Sequence, residues 1–211
     1  MIYQVLNMVK DIKVCLDENV TSEQLIAAED VDTLTFDEIV KSKILEAVER
    51  IETEAPVYYL EGGYNFGGAI CWGTLESGWT LLPDDFMRLV VFKMDDWERA
   101  VYTAITPDDP EYSRQSSRFK GVRGTAQKPV CALITRPEGK VLEFYSCKSE
   151  DASVEQAVYL PYPEIDEDGG VEICQRCYTA VVYMAAALVL VSLGEAEKAN
   201  YLMEKSRSLI E

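Results

Sequence analysis

Val57-Tyr58-Tyr59-Leu60, Leu82-Pro83-Asp84-Asp85-Phe86-Met87-Arg88, Lys128-Pro129-Val130-Cys131 and Tyr159-Leu160-Pro161-Tyr162-Pro163 mark the stretch, 57 to 163, whose reading decides the fold. It reads as short β-branched and aromatic runs broken by turn residues, the pattern of strands. Ala69–Trp72 and Trp79–Leu82 flank a Glu76-Ser77-Gly78 turn signal, and Arg88–Lys93 and Arg99–Ala104 follow. Val130–Ile134 and Val141–Tyr145 form the strongest hairpin, joined across Arg136-Pro137-Glu138-Gly139-Lys140. Its proline fixes one φ and its glycine supplies a positive one. About six short strands of this kind predict a small antiparallel sheet, sandwich or partly open barrel.

Working outward, the flanks are helical. Ile2, Val5, Leu6, Val9, Ile12 and Leu16 fall on one helical stripe. Thr21 with Gln24, and Thr35 with Glu38, have the spacing of capping boxes. Phe36, Val40, Ile44, Ala47, Val48 and Ile51 continue the second of these, and Pro56 ends it because the residue before proline is pushed out of helical geometry. Beyond Gly169-Gly170 helix resumes, with Val171-Glu172-Ile173 already in it; Cys177 to Leu193 carries no charge, and Gly194 separates it from a last helix with Ala199, Leu202, Ser206, Leu209 and Ile210 on its apolar side. The expectation is an α+β protein. Helices from 1–56 and 171–211 form a bundle, and 57–170 is an inserted antiparallel β module.

Composition bounds the function. A chain of 211 residues with 48% hydrophobic and 27% charged residues is long enough and apolar enough to bury a core. Its net charge of −17 opposes a nucleic-acid surface, which needs a positive face, so no sequence-specific nucleic acid is expected as partner. Met1-Ile2-Tyr3-Gln4-Val5 does not read as a signal peptide, and the six cysteines, mostly in apolar surroundings, read as reduced buried thiols of a cytoplasmic protein. The uncharged Cys177–Leu193 run is short for a membrane span and reads as a core helix.

Chemistry is hard to assemble. With no histidine, the chain has neither a Ser-His-Asp nor a Cys-His pair. Gly62-Gly63-Tyr64-Asn65-Phe66-Gly67-Gly68 lacks the lysine and hydroxyl of a phosphate loop; it reads as a linker whose Tyr64 and Phe66 could touch a neighbour. Cys174-Gln175-Arg176-Cys177 has no second pair to complete a zinc site. Asp84-Asp85 and Asp95-Asp96 read as solvated turns. No catalytic residue, cofactor or metal is therefore expected. The feature left over is a basic strip. Arg114, Arg118, Lys120, Arg123, Lys128 and Arg136 lie between Tyr112 and Pro137 with no acidic residue among them, leaving −23 on the rest of the chain. Such a strip can mate with the acidic face of an identical neighbour.

The order of helices, β insertion and helices resembles the head–tail connector (adaptor) proteins of tailed bacteriophages, of the tail-tubular-protein-A type. The resemblance is carried by Leu34-Thr35-Phe36-Asp37-Glu38-Ile39 with Lys43–Val48 and Ala55-Pro56, by Leu82–Leu89 with Trp97-Glu98-Arg99, and by Ala185–Leu190 with Gly194-Glu195 and Ala199. It implies a structural protein of a phage or prophage virion, made in the bacterial host cytoplasm. It further implies a ring of subunits, a dodecamer, between portal and tail proteins with DNA passing through, and no membrane. On that reading Arg114, Arg118, Lys120, Arg123, Lys128, Tyr64 and Phe66 face a subunit or the portal. Two other readings stand beside it. The 185–210 segment looks like one tetratricopeptide-type hairpin of an interaction module, and acidic pairs of the β module could serve a carboxylate-dependent hydrolase.

Overall fold

The computed structural model describes residues 1–19, 35–119, 121–145 and 147–211. In chain order its elements are β1 (Ile2–Gln4), α1 (Val5–Asn19), α2 (Phe36–Glu54), β2 (Tyr64–Asn65), β3 (Cys71–Trp72), β4 (Gly78–Leu81), β5 (Phe86–Met94), β6 (Cys131–Arg136), β7 (Gly139–Phe144), β8 (Val154–Pro161), β9 (Gly170–Glu172), α3 (Tyr178–Ser192) and α4 (Ala196–Ser208). The fold is mixed α+β. It divides into two compact units, Met1–Gly62 with Pro163–Glu211, and Gly63–Tyr162. The helix expected near Thr21 lies outside the described residues.

In the first unit α3 is the centre. Ala180, Val181, Val182 and every residue from Met184 to Leu190 are buried, and α1, α2 and α4 all pack against it. Gln175–Ser192 is long and apolar enough to cross a membrane, but most of it is buried inside this unit. Helix α2 begins at the expected capping box. Thr35 Oγ accepts the Glu38 N–H at 3.4 Å and the Glu38 carboxylate accepts the Thr35 N–H at 2.8 Å, which holds that carboxyl below its ordinary value. Its six predicted apolar residues are all buried, and Ala55 is extended ahead of Pro56. At the other end of the chain Gly194 (φ +82°) terminates α3, with the Glu195 N–H returning to the Leu190 carbonyl. From α4 the Ser206 hydroxyl donates to the Ala180 carbonyl at 2.6 Å.

Two expectations fail at the edge of this unit. Ile2 and Leu6 are not on the buried stripe; they are 63% and 65% exposed. Val171-Glu172 is strand, not helix. Both have one cause: β1 pairs antiparallel with β9, Tyr3 opposite Val171, so residues 2–4 are extended and α1 starts only at Val5. Its buried face is then Val5, Met8, Val9, Ile12, Cys15 and Leu16. The pairing brings the Met1 ammonium to the Ile173 carbonyl at 3.0 Å. The Cys174 N–H donates to buried Glu52 at 2.7 Å.

The second unit holds two antiparallel sheets, β2-β8-β5 and β3-β4-β7-β6. Phe86, Leu89, Phe92 and Tyr159 from the first share one apolar core with Cys131, Leu142 and Phe144 from the second. Phe92 and Phe144 stand 5.5 Å apart, with Trp97 edge-on to both. Gly78 lies opposite Phe144, where a Cβ would meet the ring at 2.7 Å, so only glycine fits. The Pro137-Glu138 hairpin forms as expected, with Arg136 opposite Gly139. The strand expected at Arg99–Ala104 does not. Val101 makes a single bridge to Phe92 on β5, and Ile105 then bridges Ala132 on β6, so this segment crosses between the two sheets.

The pH dependence of the first unit follows from Glu52. Burial raises its carboxyl above the ordinary 4.5, opposed by the Cys174 N–H. A raised folded-state value means this group's contribution is full below about 4.5 and is lost as pH rises through the folded value. Glu52→Gln keeps an acceptor for Cys174 and removes the titration. Its melting temperature relative to the native protein should therefore climb between pH 4.5 and neutrality; a difference that stays flat across melts at a series of pH values would contradict this.

Candidate functional site

The connection from β5 to β6, residues 95 to 130, is long but tied down at intervals. The Glu98 N–H reaches the Ala126 carbonyl at 2.9 Å, and Ile105 exchanges backbone bonds with Cys131 and Leu133 on β6. Gln115 is buried, its amide donating to Glu111 O at 3.1 Å and accepting from Gly124 N–H at 2.8 Å. Tyr112 packs edge-on to Tyr145, 6.5 Å between rings. A buried amide satisfied on both atoms costs little and locks the loop that surrounds it.

Arg123 is the strongest of these ties. The turn joining β3 to β4 places Leu75 and Glu76 at φ +62° and +59°, a left-handed conformation that costs non-glycine residues energy. The Arg123 guanidinium donates to the Leu75 carbonyl and pairs with the Glu76 carboxylate at 3.5 Å. Its side chain is only 5% exposed, and it walls off two shallow clefts, of about 260 and 410 Å³, on either side of the loop. Arg123 is thus a clamp inside the unit, and the expectation that it faces a partner is corrected. A guanidinium with five donors is drawn in by a strained carbonyl and a carboxylate together.

The rest of the basic strip divides. Arg136 is half-buried, paired with Glu143 at 3.2 Å and lying over the Trp79 ring. Lys120 lies outside the described residues. Arg114, Arg118 and Lys128 are exposed, and among the described residues none has a carboxylate partner. Between them, Phe119 is 76% exposed, more than any other large apolar side chain described, and Val122 is 50% exposed. A short turn holds this tip: the Phe119 N–H donates to Ser117 Oγ at 3.2 Å and the Val122 N–H to the Phe119 carbonyl at 3.0 Å. Burying one such aromatic on a partner is worth about 1.5–3 kcal/mol. Nothing in the basic pattern alone singled out Phe119; its position between Arg118 and Lys120 was the available signal.

Of the two aromatic residues expected at the linker, Tyr64 is exposed, whereas Phe66 turns inward. Its ring sits 5.9 Å from both Phe92 and Tyr159, because the Phe66 N–H joins β8 at Ala157. Phe66 is partly buried and packs against the core of its unit.

The chemical groups are otherwise occupied. Five of the six cysteines are buried; Cys71 is exposed, against expectation, because it sits on the outer face of β3. Cys174 exchanges hydrogen bonds with the Glu61 backbone at 3.4 Å, and its thiol is pushed far up, first by the Cys177 side chain and then by burial. Burial and Asp96 push Cys147 up to about 12. Asp85 accepts the Tyr159 hydroxyl at 2.9 Å; Asp95 accepts from both the Ser153 hydroxyl and its N–H, which hold it low. Asp96 accepts the Lys148 N–H. Each carboxylate fastens a loop or a hydroxyl. Among the described residues no group of three His, Cys, Asp or Glu could hold a metal. No protein-family model matches the chain, and no curated protein shows significant sequence similarity to it.

The division within the strip is directly measurable. Arg123→Leu strands the Leu75 carbonyl and should cost about 1–3 kcal/mol in urea unfolding. The exposed changes Arg114→Glu, Arg118→Glu and Lys128→Glu should each stay within about 0.5 kcal/mol. Equal costs for all four would mean that Arg123 is not a clamp.

Proposed function

We propose that this chain is a non-enzymatic assembly protein, a head–tail connector of a tailed phage or prophage, in which a terminal helical bundle carries an inserted β module. Its partners are other copies of itself in a ring, the portal protein and a tail protein, and its work lies in the bacterial host cytoplasm and then the virion. One observation carries the reading: Phe119 is exposed to solvent in the same loop as Arg114, Arg118 and Lys128, and among the described residues these cations have no carboxylate partner. An exposed aromatic with cations near it in the chain is the kind of anchor that protein contacts use.

Charge supports the same reading. Of the 37 acidic and 20 basic residues, Gly63–Tyr162 holds 14 and 11, a net −3, so the helical unit carries −14. A cationic loop on the nearly neutral unit is steered toward an acidic surface, and an acidic helical unit repels DNA. Exposed ion pairs add only about 0–1 kcal/mol each, so copies meeting this way are weakly bound until a template collects them. A portal ring is such a template.

Electron micrographs and pull-downs of the protein mixed with a portal ring test this. Native protein should decorate the portal as a closed ring, less so at high salt. The triple variant Arg114→Glu, Arg118→Glu, Lys128→Glu should fail to do so with an unchanged melt. Native protein that ignores the portal would end the reading.

A further inference from the structure

We infer that the Phe119 tip docks on a second copy of this chain, at the acidic hairpin Glu164–Asp168; this rests on the assembly reading above and names its contact. The tip offers an exposed aromatic ring, Val122 and unpaired guanidinium groups. Its complement must offer an exposed apolar side chain ringed by carboxylates. Ile165 is 46% exposed and, among the described residues, stands in a run of four exposed carboxylates, Glu164, Asp166, Glu167 and Asp168.

This hairpin is also preformed. Ile165 bridges Val171, the Asp166 N–H donates to the Gly170 carbonyl at 2.9 Å, and the Asp166 carboxylate accepts the Gly170 N–H at 2.6 Å. Gly169 takes φ +76°, which closes the turn and leaves Glu167 and Asp168 pointing outward, with no ion pair among the described residues. A preformed hairpin loses little conformational freedom on being met. Tip and hairpin are different surfaces, so the contact is heterologous: each copy joined through its tip leaves a hairpin free for the next. That supplies the head-to-tail geometry a ring requires.

Cysteine trapping between chains tests it. In a Cys71→Ser background, which removes the exposed native thiol, Phe119→Cys and Ile165→Cys are made on separate proteins of different mass, mixed under mild oxidation and resolved without reductant. The mixed disulfide should form about tenfold faster than with a control pair, Tyr201→Cys and Ile165→Cys, because charge steers the first pair together. Adding Arg118→Glu to the tip chain should remove the advantage, and Glu167→Lys on the hairpin chain should restore it. A mixed product no faster than the control overturns the contact. The assay contains no portal, so the two readings fail separately: portal capture without cross-linking sinks this interface alone, and cross-linking without capture sinks the connector reading alone.

Discussion

A helix with no charge and no polar face has to be surrounded, and α3 imposes that demand on the first unit. Helix α1 and helix α2 from the beginning of the chain and α4 from its end all pack against it. None of these is held by local propensity alone; their apolar faces find cover against it and, for α1 and α2, against each other. The chain therefore leaves this unit at Gly62 and must return at Pro163 to supply α3 and α4. Residues between those points form the second unit, whose first strand, β2, pairs with its last, β8, Tyr64 opposite Tyr159. A unit whose first and last strands pair closes on itself.

Inside the second unit, the same logic is repeated by polar groups. Phe92, Phe144 and Trp97 hold the two sheets together. The long connection that supplies Trp97 is further fixed by Gln115 and Arg123, each buried and each bonded to backbone.

How legible this was in the sequence depends on how local each signal is. The Thr35–Glu38 box, the stripe from Phe36 to Ile51 and the Pro137-Glu138-Gly139 turn are all encoded within a few residues, and all form as read. Strands β1 and β9 have three residues each and pair across more than 160 positions, so no window contains their signal, and Val171-Glu172 looks helical because helix follows soon after. Arg99–Ala104 has strand composition, but Val101 alone bridges one sheet and Ile105, the residue after the segment, alone bridges the other, with a ladder on neither. The site shows the same limit. Charge placed the basic strip correctly in the chain, yet it could not tell Arg123, drawn inward by a strained turn, from Arg118, left in solvent. Phe66 and Phe119 are both aromatics near glycines; β8 captures one and nothing in its unit covers the other.

On the proposed reading, the folding core and the association surface use different residues. Hydrogen exchange read by mass spectrometry, on the protein free and assembled on a portal ring, measures both at once. The account predicts that peptides covering 114–122 and 164–168 gain protection on assembly, while α3 is the slowest-exchanging element in both states. Protection gained on α1 or α3 with those two loops unchanged would contradict it.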